Sequence, residues 1–180
     1  MKGIILLASG FEDTEAITTI DILRRAGIEV DMCACNNEEV ITTQSGLLVK
    51  PELLIKDVVL DNYDFLVIPG GKAVFKTLIN LDVVDSVIKK FNDEKKLIAC
   101  ICAAPMLLGK NKLLKDKKYT CFPSCEEGID GIYTKNGVEI TGNLITGKSM
   151  AYTIDFALEI VEYLLGKDIK EKVYKSIFGM

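Results

Sequence analysis

The chain has 180 residues, of which 49 % are hydrophobic, and its formal net charge is −4 at pH 7. This length suits one domain with a sizeable core, and the apolar content argues against disorder. Nucleic acids and anionic membranes are bound through a basic face, so the acidic balance argues against both kinds of partner. No apolar stretch approaches the ~18 residues of a membrane span.

The opening MKGIILLASG is interpreted as a first strand and not as a secretion signal. Its apolar part runs only from Ile4 to Ala8, and acidic residues follow at once in FEDTE. A cytoplasmic location with reduced thiols is therefore expected. The cysteine spacings are C-x-C and C-x3-C, and the chain has no histidine, so neither a zinc site nor another metal site is predicted.

The first half of the chain alternates between strand and helix patterns. GIILLA is a short apolar run, typical of a strand buried on both faces. Residues 12–26 carry apolar positions at helical spacing, and Gly27 follows as a C-terminal cap. The segments predicted next are a strand in EVDMCAC, a hairpin around Ser45–Gly46, and a strand in DFLVIPGG that runs into a turn.

The second half continues the alternation. Residues 82–94 form an amphipathic pattern, and KLIACI is a buried strand followed by a small-residue elbow and a helix through Leu108. Later strands are predicted in KYTCF, GVEIT and NLIT, and a final short helix from Ile169. The long helix before it is expected to bury Ile154, Ala157, Leu158, Val161 and Leu165. Together these elements predict one α/β domain over residues 1–180, with a mostly parallel sheet and helices on both faces.

Three loops end strands of this sheet: SGFEDTE, PGGKAVF and CAAP. Ligands in such sheets lie at the C-terminal ends of the strands. Glu12, Asp13 and Glu15 crowd the first helical turn, where they satisfy the helix dipole and would repel a phosphate group. The glycine-rich phosphate-binding motifs are also absent, so no nucleotide or other cofactor is predicted.

Cys102 lies where a buried strand turns into a helix, in LIACICAAP. This is the pattern of a nucleophile elbow, which needs small neighbours such as Ala103 and tolerates Pro105 in the first helical turn. A thiol at a helix N-terminus is expected to have a lowered pKa. The alternative is a buried core cysteine, as we interpret Cys100 two positions earlier.

The Pro69-Gly70-Gly71 turn supports a site at the same edge. Glycines after a strand let the backbone approach a ligand closely, and their N–H groups together with that of Ala103 would form an oxyanion hole. An ordinary tight turn is the alternative explanation of these residues.

Three motifs in combination, GFEDTE, IPGGK and ACICAAP, resemble the ThiJ/PfpI superfamily, which includes the parkinsonism-associated protein deglycases. TCFPSCEEGI and NLITGKSMAYTIDFALEIVEYLLGK are similar to its bacterial ThiJ-like branch, and the resemblance runs from Lys2 to about Lys167. It implies a flavodoxin-like three-layer sandwich, related to class I glutamine amidotransferases, and a homodimer.

The resemblance also implies roles for individual residues. The nucleophilic, oxidisable cysteine of the family corresponds to Cys102, its partner glutamate to Glu15, and its oxyanion-type backbone donors to Gly71 and Ala103. Glu12 matches an acidic position of the same loop, for which a structural role is expected. For Glu15 the alternative is a plain first-turn helix acid, which is how Asp13 is interpreted.

Two positions depart from the family pattern. Phe122 stands where some members carry a histidine, and without any histidine the chain has no Cys-His dyad or triad. The stretch Gly147–Tyr152 replaces a more glycine-rich and proline-containing family segment, so the bulkier Met150 and Tyr152 are expected at the rim of the pocket.

The resulting hypothesis is a cofactor-independent enzyme of glyoxalase or deglycase type that acts on a small reactive carbonyl compound. The alternative is a redox-responsive protein without strong turnover, in which Cys102 is oxidised and Glu15 hydrogen-bonds to the product. A cysteine hydrolase or peptidase ranks lowest, because the usual base is missing.

Overall fold

The computed structural model describes all 180 residues and contains one seven-stranded sheet with two small two-stranded ribbons. The strands are β1 (Lys2–Leu7), β2 (Glu29–Ala34), β3 (Ile41–Thr42), β4 (Leu48–Val49), β5 (Leu53–Leu54), β6 (Phe65–Ile68), β7 (Leu97–Ile101), β8 (Lys118–Tyr119), β9 (Ile132–Tyr133), β10 (Val138–Thr141) and β11 (Leu144–Gly147). The helices are α1 (Asp13–Arg25), α2 (Lys72–Lys76), α3 (Asp82–Asp93), α4 (Pro105–Lys110), α5 (Thr153–Leu165) and α6 (Lys167–Phe178).

The main sheet has the strand order β10-β11-β7-β6-β1-β2-β5 and is parallel except for the edge strand β10. The central strands β1, β6 and β7 are almost wholly apolar, as strands covered on both faces must be. The chain passes from β1 to β2 on one side and later places β6 on the other side of β1. The strand order therefore switches direction between β1 and β6, where such sheets bind their ligands.

Helices cover both faces of the sheet. On α3 the apolar stripe of Val84, Val87, Ile88 and Phe91 is buried, and this helix contacts β6 and β7. The helix α5 packs against both α1 and α6. This arrangement confirms the predicted flavodoxin-like three-layer α/β sandwich. No helix has both the length and the apolar character that crossing a bilayer requires.

Two turns predicted from glycines are present in the structure, and both glycines have a positive φ. Gly27 follows α1 with a φ of +80°, the left-handed conformation of a helix C-terminal cap. The strands β3 and β4 form the predicted antiparallel hairpin, with Gly46 at a φ of +99° in its turn. This hairpin matters for the site, because the amide N–H of Gln44 donates to the carbonyl oxygen of Phe11 in the loop after β1.

Several details of the prediction were wrong. Ile154 on α5 is 42 % exposed and Leu165 only partly buried, while Phe156 and Ile160 fill the core instead. The stripe was misplaced because α5 packs against α1 and α6 as well as the sheet, so its buried surface is wider than one stripe. KYTCF forms only the short β8, which pairs with β9 outside the main sheet, and α6 begins at Lys167, before Ile169.

Candidate active site

Three loops meet at one edge of the sheet because the strands before them pair in register. In β1, Ile5 lies beside Val67 of β6, which in turn lies beside Ala99 of β7. The loops that follow these parallel strands are therefore neighbours in space, although they are far apart in the sequence. They carry Glu15 at the start of α1, the Gly70–Gly71 turn, and the elbow at Cys102.

Cys102 adopts the strained backbone conformation of a nucleophile elbow, with a φ of +64°. A residue with a side chain disfavours this region, so the surrounding structure must hold it there. The amide N–H of Cys102 donates to the carbonyl oxygen of Gly147 at 2.9 Å, and its own carbonyl accepts from the Phe122 N–H at 2.8 Å. The predicted elbow is thus confirmed, and its backbone is held by Gly147 at the end of β11 and by Phe122 in the loop after β8.

Glu15 is a buried carboxyl group, with 1 % of its surface exposed. The start of α1 holds it in place: Glu12 is the N-cap residue, and its Oε2 accepts from the Glu15 amide N–H at 2.6 Å. This confirms the structural role expected for Glu12. The Oε2 atom of Glu15 accepts from the Gly70 N–H at 2.8 Å, whereas its Oε1 atom is buried without a hydrogen-bond partner.

The absence of a side chain at Gly70 brings Glu15 and Cys102 together. A Cβ atom built on Gly70 would lie 2.7 Å from Glu15 Oε2 and 3.0 Å from Cys102 Sγ. It would also lie 2.6 Å from the Cβ atom of Cys102, so no larger residue fits here without a shift. Because its N–H is bonded to Glu15, Gly70 does not supply the oxyanion donor that the sequence suggested for both glycines of the turn.

Gly71 and Ala103 provide the remaining donors. Their backbone N–H groups face the sulfur of Cys102 and favour its thiolate form. Gly71 has a φ of +91°, and a Cβ atom there would lie 2.5 Å from the backbone nitrogen of Glu12, so only glycine fits this turn. The four residues predicted for the site, Cys102, Glu15, Gly71 and Ala103, therefore lie around one sulfur atom.

The sulfur and the carboxyl group open into a cavity of about 460 Å³. This volume is typical of small-molecule sites. The cavity combines the buried acid with apolar and polar groups from six segments of the chain. Its lining consists of Glu12, Glu15, Gln44, Gly71, Lys72, Phe75, Cys102, Phe122, Ser149, Met150 and Ala151. No group of three or more Cys, Asp or Glu side chains is placed to hold a metal ion.

The pKa values of the two central groups are both raised. Burial raises the pKa of the Glu15 carboxyl to about 7, although the Gly70 N–H stabilises its carboxylate form. The pKa of the Cys102 thiol is also raised, first by burial and then by the negative charge of Glu15. The lowered thiol pKa expected from a helix N-terminus is therefore wrong: α4 is short, and burial together with Glu15 outweighs the backbone donors.

Cys102 differs from the other cysteines in its accessibility. All six thiols are free, and only Cys102 is not buried. The helical turn after the elbow separates it from Cys100, which lies fully buried in β7. The alternative reading of Cys102 as a core cysteine does not describe this structure.

Some of the residues that the sequence predicted for the rim of the cavity are found there. Phe122 and Met150 line the cavity and are about half exposed, at 47 % and 51 %. Tyr152, which was also expected there, packs against Gly137 and does not line the cavity. Gln44 and Lys72 are cavity residues that the sequence analysis missed, since only the folding of the hairpin over the loop after β1 brings Gln44 to the site.

Residues 1–163 match the DJ-1/PfpI family. The chain belongs to the DJ-1/PfpI family. Protein dj-1beta of Drosophila melanogaster is 32 % identical over 179 residues, covering 98 % of this chain and 96 % of the relative. Among solved structures, oxidized DJ-1 of Toxoplasma gondii superimposes with a TM-score of 0.92 at 29 % identity, covering 98 % of this chain and 97 % of the other.

Some DJ-1/PfpI relatives are much longer than this chain. Protein DJ-1 homolog B of Arabidopsis thaliana is 34 % identical over 170 residues, which is 93 % of this chain and 39 % of the plant protein. Together with the Drosophila and Toxoplasma comparisons, this confirms the family resemblance inferred from GFEDTE, IPGGK and ACICAAP.

Proposed function

We propose that this DJ-1-like protein is a cofactor-independent enzyme that uses Cys102 to act on small reactive carbonyl compounds, in a reaction of glyoxalase or deglycase type. One observation carries the proposal. A thiol on a strained elbow and a buried carboxyl with a pKa of about 7 lie on either side of Gly70 and open into one cavity. A general base works best when its pKa is near the working pH, as it is here.

The first step is addition of the sulfur to an aldehyde carbon. The thiol is protonated at neutral pH because its pKa is raised, so it must lose its proton as it attacks. Ionised Glu15 accepts that proton, and its Oε1 atom has no competing hydrogen bond. The carbonyl oxygen becomes the hemithioacetal oxygen, and the N–H groups of Gly71 and Ala103 stabilise its developing negative charge.

For an α-oxoaldehyde such as methylglyoxal, the second step moves a proton between carbons. Glu15 first passes the thiol proton to the hemithioacetal oxygen and so becomes ionised again. It then removes the proton from the carbon that carries the sulfur and returns one to the neighbouring carbon, while the hydroxyl proton passes to the former ketone oxygen. These transfers convert the hemithioacetal into a thioester. Water then cleaves the thioester, releases lactate and regenerates the Cys102 thiol. The sum is addition of one water molecule to methylglyoxal, with no oxidant or reductant.

The test is turnover of methylglyoxal by the purified chain, followed as lactate formed. We expect turnover by the wild-type protein and none by Cys102→Ala. Cys100→Ala is the matched control, because that thiol lies in the same strand but is fully buried away from the cavity. Absence of lactate from the wild-type protein, or equal turnover by Cys102→Ala, would contradict the proposal.

A second candidate function, a redox-responsive role, is supported by the same contacts. The sulfur faces two N–H donors, and the neighbouring Glu15 in its protonated form would donate a hydrogen bond to a sulfinate oxygen. Toxoplasma gondii DJ-1 was solved in an oxidized form. Limiting peroxide followed by mass analysis tests this role: selective oxidation of Cys102 without methylglyoxal turnover would favour it over the enzyme.

Three expectations from the sequence stay predictions. Hydrolase chemistry still ranks lowest, because the chain has no histidine to act as the usual base. A homodimer is proposed from the family and is tested by sedimentation equilibrium. A cytoplasmic location is tested by fractionation of the source cells.

A further inference from the structure

Lys72 is the one cationic side chain that lines the cavity. It begins α2 directly after Gly71, and its backbone N–H is held by Gln44 Oε1 at 3.0 Å. The side chain is exposed, and its ammonium group has neither an ion-pair nor a hydrogen-bond partner in the protein. No other lysine lines this cavity. Because salt and water screen a surface charge over a short distance, lysines elsewhere on the surface cannot replace Lys72 in binding an anion there.

Two further donors in the cavity lining also lack protein partners. The side-chain amide nitrogen of Gln44 and the hydroxyl group of Ser149 both belong to cavity-lining residues, and neither makes a hydrogen bond within the protein. The acids of the cavity are occupied differently. Glu12 caps α1 through the Glu15 N–H at 2.6 Å, and Glu15 lies buried beside Cys102.

The side-chain donors of the cavity therefore differ from its acids, because each acid accepts a backbone hydrogen bond and the donors have no partner within the protein. The reacting thiol, its carboxyl partner and the oxyanion donors of Gly71 and Ala103 occupy its buried end. The exposed Lys72 and Gln44 and the half-buried Ser149 offer unpaired donors on the same lining, and donors of this kind bind a carboxylate group. A neutral aldehyde would leave these donors to water.

We propose that the cavity selects small carbonyl compounds that carry a carboxylate group, with Lys72 as the residue that binds the carboxylate. This inference rests on the proposed function for its substrate, and it names the substrate class that the site prefers. Lys72 acts as a binding residue, so its removal should weaken the binding of anionic compounds and leave the chemistry at Cys102 intact.

A test that needs no turnover compares two alkylating reagents of similar size. Iodoacetate carries a carboxylate and iodoacetamide is neutral; in both, the Cys102 sulfur displaces iodide and forms a thioether. The measured quantity is the ratio of the two second-order rate constants at Cys102. Removing one opposite charge at close range is expected to lower this ratio about fivefold in Lys72→Gln.

Lys76→Gln is the matched control, because Lys76 lies on the same short helix, is exposed and does not line the cavity. Its ratio should equal that of the wild-type protein. A ratio in Lys72→Gln that equals the wild-type ratio, or an equal loss in both variants, would overturn the proposal. Both substitutions are at exposed positions, and melting temperatures confirm that the variants are folded.

Turnover supplies the second measurement. The compounds are γ,δ-dioxovalerate, an α-oxoaldehyde with a terminal carboxylate, and neutral methylglyoxal. The ratio of kcat/KM for the anionic compound to kcat/KM for methylglyoxal should fall about fivefold in Lys72→Gln, mainly through the KM of the anionic compound. If the wild-type protein turns over neither compound, the proposed function fails, and the alkylation ratio still decides the role of Lys72.

Discussion

Glu15 and Cys102 meet across Gly70: a single Cβ atom added to that glycine would touch both the carboxyl oxygen of one and the sulfur of the other. The glycine backbone also donates its N–H to Glu15 Oε2 and so fixes the carboxyl group beside the thiol. The contact couples the protonation of the two groups, since ionisation of one opposes ionisation of the other.

The first prediction concerns thiol selectivity. Cys102 is the only one of the six thiols that is not buried, so it should react first with a limiting neutral electrophile at pH 7. Peptide mapping by mass spectrometry measures the distribution of the label. Labelling of Cys35 or Cys125 at the same rate would show that accessibility at the elbow does not control reactivity.

The second prediction concerns Glu15→Gln. Glutamine keeps an oxygen for the Gly70 N–H but cannot accept the thiol proton, so methylglyoxal turnover should fall by at least about a hundredfold. Asp21→Asn, on the same helix but exposed and paired with Arg25, is the control and should keep full turnover. Full activity in Glu15→Gln would remove this residue from the mechanism.

The third prediction is a pH dependence of stability. Folding raises the pKa of Glu15 from 4.5 to about 7, so the folded state holds the proton more tightly than the unfolded state. Its contribution to the free energy of unfolding is therefore fully present below pH 4.5 and is lost as the pH rises through 7. Urea unfolding should show Glu15→Gln more stable than the wild-type protein at pH 8, by up to about 3 kcal/mol, with no such gain at pH 4.5.

The fourth prediction uses Gly70→Ala. The added methyl group would displace the Cβ atom of Cys102, which lies on a strained backbone and cannot simply rotate away. Turnover should fall more than about tenfold, and a crystal structure of the variant should show Glu15 and Cys102 further apart. Wild-type turnover with both side chains unmoved would mean that the close approach at Gly70 is dispensable.

The fifth prediction separates Glu15 from position 122 in the pH profile of Cys102 alkylation. Removing the charge of Glu15 lowers the thiol pKa, so the profile of Glu15→Gln should move to lower pH. Phe122 also lines the cavity, but Phe122→His leaves the negative charge of Glu15 in place. The pH profile of Cys102 alkylation in Phe122→His should therefore stay close to that of the wild-type protein. A gain of peptidase activity of several orders of magnitude in Phe122→His would instead reveal a site ready for a triad.

Much of the site followed from local sequence. The apolar run before Cys102 and the small residues after it predicted the elbow, since both requirements are met by neighbours in the chain. The glycine at position 71 predicted a turn with unusual backbone geometry, and the backbone adopts a positive φ there. The alternation of strands and helices predicted the parallel sheet, and parallel strands necessarily bring the loops after them to one edge.

Only the tertiary structure decided the chemical state of the site. The helix N-terminus alone suggested a thiol of low pKa, but the pKa depends on burial and on a carboxyl group contributed by a distant part of the chain. The same holds for Gln44 and Lys72, whose place in the cavity depends on how the hairpin and α2 fold over the loop after β1. Local sequence determines backbone conformation, whereas desolvation and charge are sums over everything that the fold brings close.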